Sequence, residues 1–220
     1  MVIDAVVILS GGMDSTTLLY DLKNRGLNLI AISFEYKQKH IKEIECAKMT
    51  CKKLNVEHKI LNLDVLSDVA PSSLTRNEID IPDGHYAEDS MKQTVVPNRN
   101  MVMISLAASF AMSKKINKLY YGAHAGDHII YPDCRKEFID KIKEILLISD
   151  WHKVEFEAPY FNINKADIVE IGKNLNVDYS LTWTCYNGRL KACGKCGSCN
   201  ERLESFKIVG MVDPIEYEYN

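Results

Sequence analysis

The run Ala5-Val-Val-Ile-Leu-Ser10-Gly-Gly-Met-Asp-Ser15 passes from an apolar, β-branched segment through two glycines into a helical pattern. Residues 5–9 are apolar on both faces, as a strand inside a parallel sheet must be. Beyond the glycines, Leu18, Leu19 and Leu22 recur at helical spacing, and Gly26 is placed to end that helix. Two glycines let main-chain N–H groups approach an anion closely, and the helix N-terminus adds the positive end of its dipole. The Ser10 and Ser15 hydroxyls can donate to phosphate oxygens, while Asp14 can sit in the first turn or help to hold Mg²⁺. The plainer alternative is a Gly-rich turn with a Ser/Asp helix cap.

The segment lacks the lysine of G-x-x-x-x-G-K-[ST] and the spacing of G-x-G-x-x-G, which disfavours a P-loop NTPase or a dinucleotide site. Residues 10–15 instead resemble the pyrophosphate loop (SGGxDS) of the N-type ATP pyrophosphatases. Members of that superfamily cleave ATP between the α and β phosphates and transfer AMP to a substrate oxygen. The resemblance implies a nucleotide-binding segment of Ile8, Leu9, Ser10, Gly11, Gly12, Met13, Asp14, Ser15, Thr16, Thr17 and Leu18. It also implies that Lys165, in Pro159-Tyr-Phe-Asn-Ile-Asn-Lys165-Ala-Asp, starts a helix and reaches the phosphates.

The same alternation continues along the chain. Strands are expected at 29–34, 58–63, 118–122 and 154–156. Helices are expected at 40–54, 101–112, 135–148 and 164–175. Ile41, Ile44, Ala47, Cys51 and Leu54 form the apolar stripe of the 40–54 helix, and 101–112 reads as buried all round. Such a chain builds an α/β fold, a Rossmann-like doubly wound parallel sheet (adenine nucleotide alpha hydrolase-like), with ligands at the carboxyl ends of its strands. Residues 67–93 interrupt the alternation with charges and turn signals, as a lid, substrate loop or partner loop does. Two units result: a catalytic domain over 1–181 and a zinc-binding C-terminal segment over 182–220.

Among 220 residues, 46% are apolar and 26% charged, which excludes a disordered, collagenous or coiled-coil chain. A net charge of −3 provides no basic field for gripping nucleic acid directly. The N-terminus carries Asp4 and only a short apolar run, so neither a signal peptide nor a membrane span is expected, and the location is expected to be cytoplasmic. Of seven cysteines, Cys185, Cys193, Cys196 and Cys199 have the spacing C-x7-C-x2-C-x2-C. Four thiolates at that spacing suit one tetrahedral Zn²⁺ with a structural role. Redox pairing and an iron–sulfur cluster are the rivals. Cys46 and Cys51 fall on or beside the 40–54 stripe and read as small core residues.

Further matches narrow the resemblance. Leu74-Thr75, Val96-Pro97-Asn98-Arg99-Asn100, Tyr131-Pro132-Asp133-Cys134-Arg135 and Thr184-Cys185-Tyr186-Asn187-Gly188, joined to the loop and the cysteines, resemble the 7-cyano-7-deazaguanine synthase (QueC) family from about Val6 to Arg202. The resemblance implies an ATP- and Mg²⁺-dependent ligase that joins ammonia to 7-carboxy-7-deazaguanine and forms the 7-cyano compound through an adenylated carboxylate and an amide. It implies a homodimer, catalytic or substrate roles for Asp14, Lys165, Arg99, Asp127, Tyr131 and Asp133, and a nucleotide contact for His40. Ile129-Ile130 stands where many members carry Ser-Gly, on the substrate side. A variant stopping at the amide, or a tRNA-modifying enzyme of the thiolation type, are the alternatives. His124 and His128 flank the same stretch.

Overall fold

A computed structural model describes residues 2–218, so Met1, Tyr219 and Asn220, at the ends of the two expected units, lie outside the described residues. Strand β1 (Ala5–Ile8) is buried along its whole length. It pairs in parallel with β2 (Leu29–Glu35), Ala5 opposite Leu29, and with β4 (Lys118–Tyr120), Val6 opposite Leu119. The edge strands β3 (Glu57–Asn62) and β5 (Glu155–Glu157) complete an all-parallel sheet of order β3-β2-β1-β4-β5. Chain order reverses between β1 and β4, and the carboxyl ends of those two strands therefore open the crevice in which doubly wound sheets bind ligands.

Alternation along the strands divides the core. Ala5, Val7 and Leu9 face helices α1 (Met13–Asn24), α2 (Lys42–Leu54) and α6 (Lys165–Asn174) through Leu18, Leu19, Leu22, Ala47, Cys51 and Ile168. Val6 and Ile8 face α4 (Arg99–Lys114) and α5 (Lys136–Leu146) through Ile104, Ala107, Ala108, Ile139 and Ile142. A short helix, α3 (Asp64–Val69), follows β3, and α7 (Gly197–Ile208) packs on α6. Among the described residues no helix is long and apolar enough to cross a membrane.

Two expectations need correcting. The 40–54 helix begins at Lys42, and Ile41, just before it, is 48% exposed and outside the stripe that Ile44, Ala47 and Cys51 bury. Helix α4 is not buried all round: it sets Met103, Ile104, Ala107, Ala108 and Ala111 on the sheet and leaves Ser105, Leu106 and Ser109 exposed. Its position on an outer layer gives it one covered face, whatever its composition. Cys46 and Cys51 are buried core residues, as the stripe predicts.

The C-terminal segment is fastened by Arg202, which is fully buried on α7. Its guanidinium pairs with Asp213 at 2.7 and 2.9 Å and donates to the hydroxyls of Thr182 and Thr184 and to the Tyr179 carbonyl. A buried charge is tolerated when its pairing and hydrogen bonding are this complete; removing one partner would cost about 3–5 kcal/mol.

Candidate active site

Main chain builds the loop between β1 and α1. Gly11 has φ +92°, and a Cβ there would lie 1.9 Å from the Glu43 carbonyl oxygen, so the first turn of α2 packs directly on the loop and excludes any side chain. Ser10 Oγ accepts from the Gly12 N–H at 3.1 Å and lies 3.0 Å from Ser15 Oγ. The Trp183 N–H donates to the Gly11 carbonyl, tying the C-terminal segment to the loop. Of the expected nucleotide segment, Ile8, Leu9, Ser10, Gly12, Asp14 and Ser15 line one cavity. Gly11 backs onto α2, and Met13, Thr16, Thr17 and Leu18 are buried behind the wall.

One end of the cavity concentrates charge. Lys165, at the start of α6, is buried and sits 2.5 Å from Glu201 and 3.5 Å from Asp14. Burial opposes its charge, but Asp14, Glu201 and Asp127 outweigh that and raise its pKa, so the ammonium stays protonated. His124 is 1% exposed, and its Nδ1 accepts from the Gly126 N–H at 3.1 Å. A neutral ring so bonded carries its proton on Nε2, which faces Asp127 at 3.5 Å, Asp14 at 3.8 Å and Glu201 at 4.0 Å. Burial raises the Asp127 pKa against the pull of His124 and Lys165. Asp14 Oδ1 is buried without a hydrogen-bond partner. An unpartnered carboxylate oxygen among other carboxylates fits a hard divalent cation such as Mg²⁺ on a nucleotide phosphate.

The other end is aromatic. Arg99, the first residue of α4, donates to Tyr36 Oη at 3.2 Å and Asn100 Oδ1 at 3.4 Å; among the described residues no carboxylate comes within ion-pair distance of it. Tyr121, Tyr131 and Tyr186 share this end, with the Tyr131 hydroxyl held by Thr94 at 2.7 Å and Tyr186 at 3.2 Å. His40 lies in the wall beside the rings of Tyr36 and Tyr186. Burial, aided by Arg99, pushes its pKa down to about 3, which keeps it neutral.

Asp14, Lys165, Arg99, Asp127, Tyr131 and His40 are thus brought into one cavity. Asp133 is not: the 3₁₀ turn Pro132–Cys134 buries Cys134 against Asn100 and Tyr121 and leaves Asp133 off the cavity wall. Glu43, Glu201, Tyr36 and Tyr121 were missed. Glu43, Tyr36 and Tyr121 lie outside the motifs, Glu201 follows Cys199 on α7, and only the fold brings the four together.

The four expected cysteines are buried together, with sulfur atoms all within 4.8 Å of one another. Cys193 and Cys199 Sγ lie 3.9 Å apart, close to the roughly 3.8 Å edge of a tetrahedron with 2.3 Å metal–sulfur bonds. Main-chain N–H groups of Cys193 and Cys196 and the Asn187 amide donate to the sulfurs at 3.3 Å, as thiolates require. The donor set fits a single metal ion. The 67–93 stretch is clasped here: Asp83 bridges Cys196, the Gly84 N–H donates to the Lys195 carbonyl, and Asn200 donates to the Gly84 carbonyl. A Cβ on Gly197 would lie 2.7 Å from Met91 Sδ, and Met91 and Tyr86 of that stretch line the cavity.

A family model described as queuosine biosynthesis protein QueC matches residues 4–210. The chain is 60% identical over 214 residues to a 7-cyano-7-deazaguanine synthase of Caldicellulosiruptor saccharolyticus, covering 97% of this chain and 95% of that one. It is 58% identical to the synthase of Methanoregula boonei, with coverages of 97% and 99%. In structure it is similar to an NMN synthetase from Francisella tularensis (TM-score 0.55, 14% identity, 95% and 78% coverage). It is also similar to a U34-tRNA thiolase from Methanococcus maripaludis with a [4Fe-4S] cluster (TM-score 0.53, 18% identity), covering 94% of this chain and 65% of that one. At those identities the structural likeness concerns the fold alone.

Proposed function

The chain belongs to the QueC family of queuosine biosynthesis proteins, and from that premise we propose that it forms 7-cyano-7-deazaguanine from 7-carboxy-7-deazaguanine, ammonia and ATP. It is an ATP-dependent enzyme of queuosine precursor synthesis. One observation carries the proposed chemistry. A single cavity joins the glycine loop and Lys165 at one end to Arg99 at the other, and among the described residues no carboxylate lies within ion-pair distance of Arg99.

A carboxylate resists attack by ammonia until its oxygen becomes part of a good leaving group. The loop N–H groups and Lys165 stabilise charge on departing pyrophosphate while the substrate oxygen takes AMP. Arg99 receives the substrate carboxylate bidentately, and Tyr131 stacks on the deazapurine. Asp127 hydrogen-bonds the purine N–H groups. Mg²⁺, held by Asp14 through its unpartnered Oδ1, would neutralise charge on the phosphates. Ammonia displaces AMP to give the amide, and a second adenylation of the amide oxygen leads to the nitrile.

Zn²⁺ suits the four-cysteine site, whose closed shell leaves no position for substrate. Residues 1–181 then form the catalytic domain and 182–220 a clasp across it. The exposed Leu106 on an apolar α4, and Ile208 and Val212 in the tail, support a homodimer. The thiol-rich composition supports a cytoplasmic location.

Incubation with Mg-ATP, ammonium and 7-carboxy-7-deazaguanine, read by mass spectrometry, is expected to yield AMP and the nitrile. Accumulation of the amide alone would support the variant that stops there, and an unchanged purine would overturn the proposal.

A further inference from the structure

Conversion of ammonium to a nitrile removes every proton from nitrogen. Attack on the acyl adenylate forms the C–N bond, expels AMP with the carboxyl oxygen, and costs the nitrogen two of the four protons of ammonium. Expulsion of the second AMP from the adenylated amide breaks the remaining C–O bond as the last two N–H protons leave. A base is therefore needed at the acyl carbon, between the loop that holds the phosphates and the arginine that holds the carboxylate.

We propose that Glu43 is that base, an inference that rests on the function proposed above. Glu43 lies in the first turn of α2, its main chain against Gly11 and one carboxyl oxygen 3.8 Å from the point where a Cβ on Gly12 would stand. Its side chain is 15% exposed, opens into the cavity, and among the described residues has one ion-pair-distance neighbour, His40 Nε2 at 3.5 Å. The other carboxylates of the cavity, Asp14, Asp127 and Glu201, are crowded around Lys165 and His124. Glu43 is the uncommitted one, and it stands at the seam between the loop and the aromatic end. The titratable groups facing it are His40, Arg99, Asp14 and Lys165, with Tyr36 and Cys46 beside it. Burial raises its pKa while Arg99 opposes the rise, which moves a carboxyl toward the range in which it can take up and release protons near neutrality.

Glu43→Gln keeps size and polarity but cannot accept a proton, so full-length wild type and variant are compared in three assays. Substrate-dependent ATP–pyrophosphate exchange without ammonium should stay within about threefold. Amide formation from ammonium should fall at least about 100-fold at neutral pH and recover roughly tenfold per pH unit as free ammonia rises. Nitrile formation from supplied 7-amido-7-deazaguanine should fall about 100-fold without recovery. Glu43→Asp should retain part of both activities, and each variant should melt in a single cooperative transition. Exchange lost in parallel with the later steps, or nitrile formation retained in Glu43→Gln, would overturn the inference alone. A wild type that makes no nitrile would overturn the function itself.

Discussion

The glycine loop at residues 10–15 and the cysteine cluster at 185–199 are both short, glycine-containing motifs, yet they are built by opposite means. The loop is main chain held in shape by Ser10, Ser15 and the packing of α2 on Gly11, with Asp14 and Lys165 brought to it from α1 and α6. The cluster is made of side chains, and the main chain around it is there to point them inward. Damage to a charged group at the loop should spare the fold and stop the chemistry. Damage to the cluster should undo the fold around it, and through Asp83, Gly84 and Met91 should also loosen one wall of the cavity.

The largest effect is expected at the cluster. Structural zinc contributes on the order of 10 kcal/mol to the folding of small metal-binding units. Cys196→Ser should therefore lower the melting temperature by about 10 °C or more and expose residues 83–91 to limited proteolysis. Metal analysis should find about one zinc per chain; iron with a visible absorption band would instead favour cluster chemistry of the thiolase kind. Gly11→Ala comes next. Its methyl collides with the Glu43 carbonyl at a positive φ, so a loss of about 1–3 kcal/mol on denaturant unfolding should accompany loss of AMP formation. Asp14→Ala should abolish AMP release and cost less stability than Cys196→Ser, because Lys165 keeps Glu201 as its partner. If Asp14→Ala unfolded the chain, or Cys196→Ser left melting unchanged, the contrast between the two regions would fail.

The smallest effect is a dependence on pH. Burial raises the Glu43 pKa above its unfolded value, so the stability it contributes is present below about pH 4.5 and is lost as pH rises through the folded value. Glu43→Gln removes that loss. Denaturant unfolding should show the variant gaining on wild type as pH rises from 4.5, by at most about 1.4 kcal/mol per pH unit. A difference independent of pH would mean that the carboxyl ionises as freely in the folded chain as in the unfolded one.

Much of the ATP side was legible in sequence, because strand, glycine turn and helix are contiguous and each carries its own periodicity. The cysteines were legible for a similar reason: spacing alone places four sulfurs in reach of one ion. The cavity residues outside those motifs were not. Glu43 looks like any helix-surface glutamate, and Glu201 like any residue of a polar helix, until the parallel sheet brings α2 and α7 to the carboxyl ends of β1 and β4. Asp133 shows that a motif fixes the order of residues but not which of them reaches the cavity wall. Ile41 and α4 misled because an apolar residue in a helical pattern need not face the core.

Transfer of oxygen tests the account most directly. With substrate labelled by ¹⁸O at both carboxylate oxygens, adenylation of first the acid and then the amide sends each oxygen to the phosphate of a departing AMP. The prediction is two labelled AMP molecules for every nitrile formed. Unlabelled AMP, or label appearing in inorganic phosphate beside ADP, would contradict adenylation in this cavity.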